Sequence, residues 1–322
     1  MYKDIAMNKI LVTGACGQIG SELVVHLGRE FGRENVIATD IEKPSQHLKT
    51  ASTFMYLNVL DPHMIAKIVV DYEIDAIFHM AAILSARGER DPQAAYEVNM
   101  QGLVNVLEVA RRKKVDKVIT PSSIAAFGPD APKENTPDNT ALNPTTMYGV
   151  TKVAGEKMLQ YYYLKYGVDT RSLRYPGIIS AETAPGGGTT DFAVDLYIHA
   201  VTREPYACFI SENTPLTFMY MPDAIKAILQ LAHAEPGRLS RRVYNVNAMR
   251  LTPAEIVASI RKYIPGFRCT YQPDFRQAIA DSWPHSIDDR GAREDWGWKP
   301  DFDLDAMTRD MLEKIRGKFT IL

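Results

Sequence analysis

The stretch that most restricts the fold is Lys9-Ile10-Leu11-Val12-Thr13-Gly14-Ala15-Cys16-Gly17-Gln18-Ile19-Gly20. A short, branched, apolar run is followed at once by glycines at 14, 17 and 20, then by an amphipathic segment from Ser21 to Phe31. The run reads as a buried strand and the segment as a helix packed on it. Asn35-Val36-Ile37-Ala38-Thr39-Asp40 reads as a second strand, ending in an acid. Strand, glycine turn, helix, strand, acid is the opening unit of a doubly wound parallel α/β sheet. Turn glycines let backbone amides approach a pyrophosphate, and the helix amino terminus adds favourable partial charge. Asp40 lies 20 residues after Gly20, where a carboxylate can accept hydrogen bonds from ribose hydroxyls. An ordinary turn with an exposed Asp would look similar, but the flanking strands favour a dinucleotide. Neither Cys16 nor Ile41 offers a cation for a 2′-phosphate, and Glu42 disfavours one, with only Lys43 pointing the other way. NAD is therefore expected.

The alternation continues. Thr53 to Leu57 reads as a strand leading to Asn58 and Val59, with Asn58 a candidate for adenine contact. Asp61-Pro62 opens a helix through Tyr72, and Asp75 to Ala82 is a strand whose small-residue exit, Met80-Ala81-Ala82, suits close passage of a cofactor. His79 inside it reads as a satisfied core histidine. A helix from about Pro92 to Lys113 carries Asn99, and Val115 to Pro121 leads into Ser122-Ser123. Open α/β sheets place their sites at this carboxyl edge. After a polar loop from Phe127 to Pro144 comes Met147-Tyr148-Gly149-Val150-Thr151-Lys152, in which a helix would project Tyr148 and Lys152 from one face. A phenol beside an ammonium group is a candidate proton-transfer pair, since a neighbouring cation favours phenolate. The spacing alone carries little, because it recurs at Tyr161 and Lys165. Only the first pair lies beside the expected crevice.

Gly14-x-x-Gly17-x-x-Gly20, Asp40, Ser123 and Tyr148-x-x-x-Lys152 together resemble the extended short-chain dehydrogenase/reductase family, over nearly the whole chain. The resemblance implies a Rossmann-type sheet with a smaller α/β substrate-binding domain. Expected boundaries are 1–176 with a returning segment 217–247 for the NAD-binding domain, and 177–216 with 248–322 for the substrate-binding domain. It implies that Ser123 steadies the substrate oxygen, Tyr148 is the acid/base, and Lys152 binds the nicotinamide ribose while lowering the Tyr148 pKa. Ser123 fits the family serine because Ile124-Ala125-Ala126-Phe127-Gly128 follows it; Ser122 reads as structural. The cofactor contacts implied are Gly14, Gly17, Gln18, Ile19, Gly20, Asp40, Asn58, Val59, Met80, Ala81, Ala82, Asn99, Tyr148, Lys152, Tyr175, Gly177 and Ile178.

The second half bears on the substrate. Thr170 to Tyr175 reads as a strand, Pro176-Gly177-Ile178-Ile179 turns out of the sheet, and 182–191 is a loop with a glycine triplet ending in a helix cap. Free amides and hydroxyls at a helix amino terminus suit a small carboxylate. Leu251 to Glu255 opens a capped helix in which Glu255 reads as capping rather than chemistry. Pro185-Gly-Gly-Gly-Thr-Thr-Asp-Phe192 and Ser282-Trp283-Pro284-x-Ser286-Ile287-Asp288-Asp289 are similar to those family members that oxidise the β-hydroxyl of L-threonine to 2-amino-3-oxobutyrate. By that resemblance Ser85, Gly188, Thr189 and Thr190 contact or support the amino acid beside Ser123 and Tyr148, and Trp283 closes over it. Asn58 departs from the aspartate more common there. The rival is a nucleotide-sugar 4-epimerase or dehydratase, whose diphosphate would need cations such as Arg203, Arg238, Arg241 and Arg242.

The remaining expectations are exclusions and context. Of 322 residues, 46% are apolar, ample for a core, and no long uncharged run suggests a membrane span. A net charge of −2 with interspersed signs favours neither nucleic acid nor an anionic membrane. Cys16, Cys208 and Cys269 form no metal-ligand spacing and no disulfide framework, and Met1 to Met7 has no leader-like apolar stretch, so a cytoplasmic, metal-independent enzyme is expected. The resemblance also implies a homodimer through helices near 92–113 and 146–166.

Overall fold

The first strand, Ile10–Thr13, is wholly buried. It pairs in parallel with Val36–Asp40 on one side and Ala76–His79 on the other. Growing outward from it, a parallel sheet runs in the order Thr53–Tyr56, Val36–Asp40, Ile10–Thr13, Ala76–His79, Lys117–Ile119, Asp169–Tyr175, Val243–Asn245. The chain reverses direction across the sheet between the first strand and Ala76–His79, which is the position where doubly wound sheets open a ligand crevice. This is a Rossmann-like α/β fold. The computed structural model describes residues 7–183 and 186–320; the amino-terminal residues 1–6 and Ala184-Pro185, which entered the readings above, lie outside the described residues.

Each face of the sheet has its own core. Helices Gln18–Phe31 and Met221–His233 cover one face, with Leu23, Leu27, Ile228 and Leu231 buried together with Trp296 and Trp298. Helices Pro62–Asp71 and Gly102–Lys113 cover the other, with Ile65, Ile68, Val106 and Leu107 joined by Leu159 and Tyr162. A third core gathers around Phe192, Tyr197, Phe218, Ile256 and Trp283 beyond the end of the sheet.

Three expectations change in detail. The single helix expected over 92–113 divides: Pro92–Tyr96 is α-helical, Glu97–Gln101 is a π-turn, and Gly102–Lys113 resumes the α-helix. Such a turn widens the helix by one residue, and here it turns Asn99 inward. The returning segment 217–247 also splits. Its strand Leu216–Tyr220 pairs with Gly177–Ile179 and Met249–Leu251 in a separate three-stranded sheet, while its helix and the strand Val243–Asn245 rejoin the large sheet. Conversely, Arg290–Trp296, expected with the substrate-binding part, packs against the dinucleotide-side core. The Thr252/Glu255 capping box is present as read, each side chain bonding the other's backbone amide.

Candidate active site

The glycine turn is fixed by sterics before any ligand is considered. Gly14 has φ 67°, and a Cβ there would lie 2.4 Å from the Ala81 amide nitrogen. At Gly20 a Cβ would lie 2.2 Å from the Gly14 carbonyl oxygen. Strand exit and helix thus pack backbone on backbone, leaving the concave side of the turn open. Gly17 caps the helix Gln18–Phe31 without a side-chain hydrogen bond, so the first amides face the cleft free to bond an anion. Asp40 accepts from the Cys16 amide at 2.8 Å and the Glu42 amide at 3.0 Å, which orients its carboxylate and leaves lone pairs for a diol. Burial, followed by the charges of Asp40 and Glu42, pushes the Cys16 thiol up to about 12. The negative charges of Asp40 and Glu42 beside Cys16 disfavour a 2′-phosphate. The residues present fit NAD.

A cleft of about 280 Å³ runs from this turn along the carboxyl ends of the strands. Gly14, Gly17, Gln18, Ile19, Gly20, Met80, Ala82, Ser85, Ser123, Tyr148, Lys152, Tyr175, Gly177, Ile178, Gly188, Thr189, Thr190 and Trp283 all line it. Tyr148 is delivered by the first turn of helix Met147–Tyr166. Thr146 caps that helix by accepting from the Gly149 amide, and Glu89 accepts from the Met147 amide at 2.8 Å. A Cβ on Gly149 would reach within 2.2 Å of the Ala125 carbonyl oxygen, so the helix start sits hard against the Ser123 loop. That contact brings the Ser123 hydroxyl into hydrogen-bonding reach of the phenol.

Electrostatics in this corner differ from expectation. Burial pushes Tyr148 up to about 12, and the bond from Ser123 offsets only part of that. Burial likewise pushes Lys152 down to about 8, opposed by the negative charge of Glu156. Lys152 lies 5.3 Å from the Tyr148 ring centre and donates to the Pro121 carbonyl at 2.8 Å. Desolvation outweighs the Ser123 bond, which is why the phenol stands above its ordinary value. Behind Lys152, Glu156 is held in a two-pronged pair with Arg174, both bonds 2.8 Å, and accepts from Ser122 at 2.6 Å. Ser122 is structural, as read.

At the far end of the cleft the loop 186–191 is locked from two sides. Ser85 Oγ lies 3.1 Å from Thr189 Oγ1 and accepts from the Thr189 amide at 3.3 Å. Asp191 Oδ2 accepts from the Gly187 amide at 2.9 Å and the Gly188 amide at 2.7 Å. Those amides, expected to be open to a small carboxylate, are therefore occupied. Trp283, expected to close over the amino acid, is 5% exposed and part of the third core while lining the cleft.

Five cofactor candidates lie outside the lining of this cleft: Asp40, whose bonds are given above, and four more. Asn58 is exposed and its oxygen accepts from its own Leu60 amide. The Val59 carbonyl accepts from Asn105, its side chain filling space against Gly102. Ala81 contributes its backbone to the Gly14 contact. Asn99 has its amide oxygen and nitrogen bonded to the Ile83 backbone and to Thr151 on the Tyr148 helix, so it positions that helix instead of facing the cleft. Sequence reasoning missed Arg87 and Asp191, both of which line the cleft. Asp191 is legible as the residue after the Thr189-Thr190 pair; Arg87 carries no sequence signal beyond its charge. The four arginines of the rival reading lie elsewhere. Arg241 pairs with Asp138, Arg242 with Asp169, and neither Arg203 nor Arg238 lines the cleft. Among the described residues no group of three or more His, Cys, Asp or Glu is arranged to hold a metal. No described helix is long and apolar enough to cross a membrane.

Comparison with known proteins agrees with this geometry. Residues 10–247 match the model of the NAD dependent epimerase/dehydratase family. A Staphylococcus saprophyticus protein described as an uncharacterized epimerase/dehydratase is 50% identical over 97% of this chain and 98% of its own. The L-threonine dehydrogenase of Clostridium difficile superposes with a TM-score of 0.94 at 48% identity, covering 98% of this chain and 99% of the other. An L-threonine 3-dehydrogenase of metagenomic origin, described as monomeric, gives a TM-score of 0.92 at 44% identity over 96% of this chain and 99% of the other.

Proposed function

The chain belongs to the NAD-dependent epimerase/dehydratase family, and from that premise we propose that it oxidises the β-hydroxyl of L-threonine to 2-amino-3-oxobutyrate. The observation that carries this reading is the Ser123–Tyr148–Lys152 corner, opening on the glycine turn at one end and on the Ser85–Thr189 loop at the other. The likeness to L-threonine dehydrogenases over nearly the full chain supports the substrate.

NAD, when bound, supplies the acceptor for the β-hydride. Gly14 to Gly20 and Asp40 would hold its pyrophosphate and ribose, and Met80, Tyr175, Gly177 and Ile178 would line the nicotinamide. The threonine hydroxyl lies between Ser123 and Tyr148. Ser123 donates to the oxygen as it becomes a carbonyl, and Tyr148 takes its proton. Lys152, fixed by the Pro121 carbonyl and favoured as a cation by Glu156, stabilises the phenolate that must form. Thr190 and Ser85 offer hydroxyls to the amino acid, and Trp283 walls off water. The product, a β-keto acid, readily loses carbon dioxide.

Three further statements belong to this reading. The dinucleotide part comprises the large sheet with its helices, and the substrate part comprises the three-stranded sheet, the helix Phe192–Thr202 and their shared core. A dimer forms through helices Gly102–Lys113 and Met147–Tyr166, whose outer surface exposes Tyr161 and Leu164; sedimentation at micromolar concentration giving twice the chain mass is the expected result. The enzyme works in the cytoplasm. Absorbance of NADH on mixing with NAD and L-threonine, L-serine or a nucleotide sugar tests the whole. Turnover of threonine is expected, and turnover of the sugar alone overturns the reading.

A further inference from the structure

The cleft has one carboxylate in its lining, Asp191, and two cations, Lys152 and Arg87. Lys152 is bonded to the Pro121 carbonyl beside Tyr148, at the reacting end. Arg87 and Asp191 line the same cleft and are linked through Gly187, whose carbonyl accepts from the Arg87 amide at 3.4 Å and whose amide donates to Asp191. One oxygen of Asp191 accepts both loop amides. No hydrogen bond from a described residue reaches the other oxygen, Oδ1, which lies 2.8 Å from where a Gly188 Cβ would be. Glycine at 188 therefore keeps open the space beside that oxygen.

From this arrangement we infer that Asp191 is the specificity-determining residue for the substrate's α-ammonium group, latching the loop with Oδ2 and receiving the ammonium on Oδ1. The inference rests on the threonine reading and deepens it. An amino acid carries its ammonium on the carbon next to the one that is oxidised, so an acceptor lining the same cleft as Ser123 and Tyr148 is suited to receive it. Among the described residues lining the cleft no other side chain is an anion, and the Arg87 cation suits the carboxylate instead. Burial pushes Asp191 up to about 6, against the loop amides and Arg276, with Asp195 adding to the rise. At neutral pH it is ionised but under-compensated, and an ammonium ligand supplies what it lacks.

The test compares threonine with 3-hydroxybutyrate, the same carbon skeleton without the amine, used as a competitive inhibitor. Asp191→Asn keeps an oxygen for the loop amides and removes the charge. The expected result is a KM for threonine raised about 10- to 100-fold, while the Ki of 3-hydroxybutyrate changes by less than a third of that factor. NADH binding, followed by fluorescence, reports whether the variant is folded. Asp191→Ser, which retains a hydroxyl for helix and loop capping, is the second variant and must show the same split. Equal losses for both ligands in both variants would mean that Asp191 only shapes the loop, and would overturn the inference. Failure of the threonine reading is distinguishable, since the unmodified enzyme would then not turn threonine over at all.

Discussion

Helix Met147–Tyr166 carries the pair Tyr148 and Lys152 near its start and the pair Tyr161 and Lys165 near its end, at identical spacing. Near the start, Tyr148 meets Ser123, Lys152 is bonded to the Pro121 carbonyl, and Glu156 with Arg174 lies buried behind them. Near the end, Tyr161 is 49% exposed and its ring meets those of Tyr162 and Tyr166 edge-on. One helix thus holds a reactive pair and a surface pair. Spacing supplies a shared face, and desolvation together with neighbours supplies chemistry.

The largest effect that could break this comparison is kinetic. Tyr148→Phe should lower kcat by about 10²- to 10⁴-fold with NADH affinity retained, whereas Tyr161→Phe should leave kcat unchanged; comparable losses at both positions would erase the distinction. Next in size is the support behind the first pair. Glu156→Gln leaves Arg174 buried without its partner, at a cost of about 3–5 kcal/mol, read as a lowered midpoint in urea unfolding. An exposed pair has no such support to lose.

The pH dependence sharpens the comparison further. Lys152 must be a cation to favour phenolate, and in the free enzyme it loses its proton near its lowered value of about 8. Activity carried by the cation is present below that value and lost above it, so kcat/KM for NAD should fall about tenfold per pH unit beyond roughly 8. Folding linkage has the opposite sign. Between about 8 and the unfolded value near 10.4 the unfolded chain binds more protons, so this group makes stability rise with pH. An alkaline limb that persists unchanged in Lys152→Met would assign it to another group. The smallest expected effect is at the second pair, where Tyr161→Phe with Lys165→Met should shift stability by less than about 0.5 kcal/mol, measured in the monomeric state.

Much of this was legible along the chain. Gly14, Gly17 and Gly20 between two strands specify the turn because backbone clashes leave no alternative, and Thr252-Pro253-Ala254-Glu255 specifies its own cap within one helical turn. Ser123, Tyr148 and Lys152 could be picked out by their order along the sheet edge. What could not be read was which hydrogen bonds were already taken. The Gly187 and Gly188 amides looked available until Asp191 was found on them, and Asn99 looked like a cofactor contact until its amide was found bonded to Ile83 and Thr151. Trp283 proved to be a core residue as well, because folding gathers distant residues such as Phe192 and Tyr197 into its cluster.

By itself the sequence determined the local conformations and the order of the strands, since these follow from sterics and periodicity over a few residues. Tertiary structure alone decided the burial that shifts Tyr148 and Lys152, the bond between Ser85 and Thr189, and the presence of Arg87 and Asp191 in one cleft. These depend on desolvation and on atoms that folding brings together, across a separation that reaches 104 residues between Ser85 and Thr189, quantities that no short stretch of sequence contains.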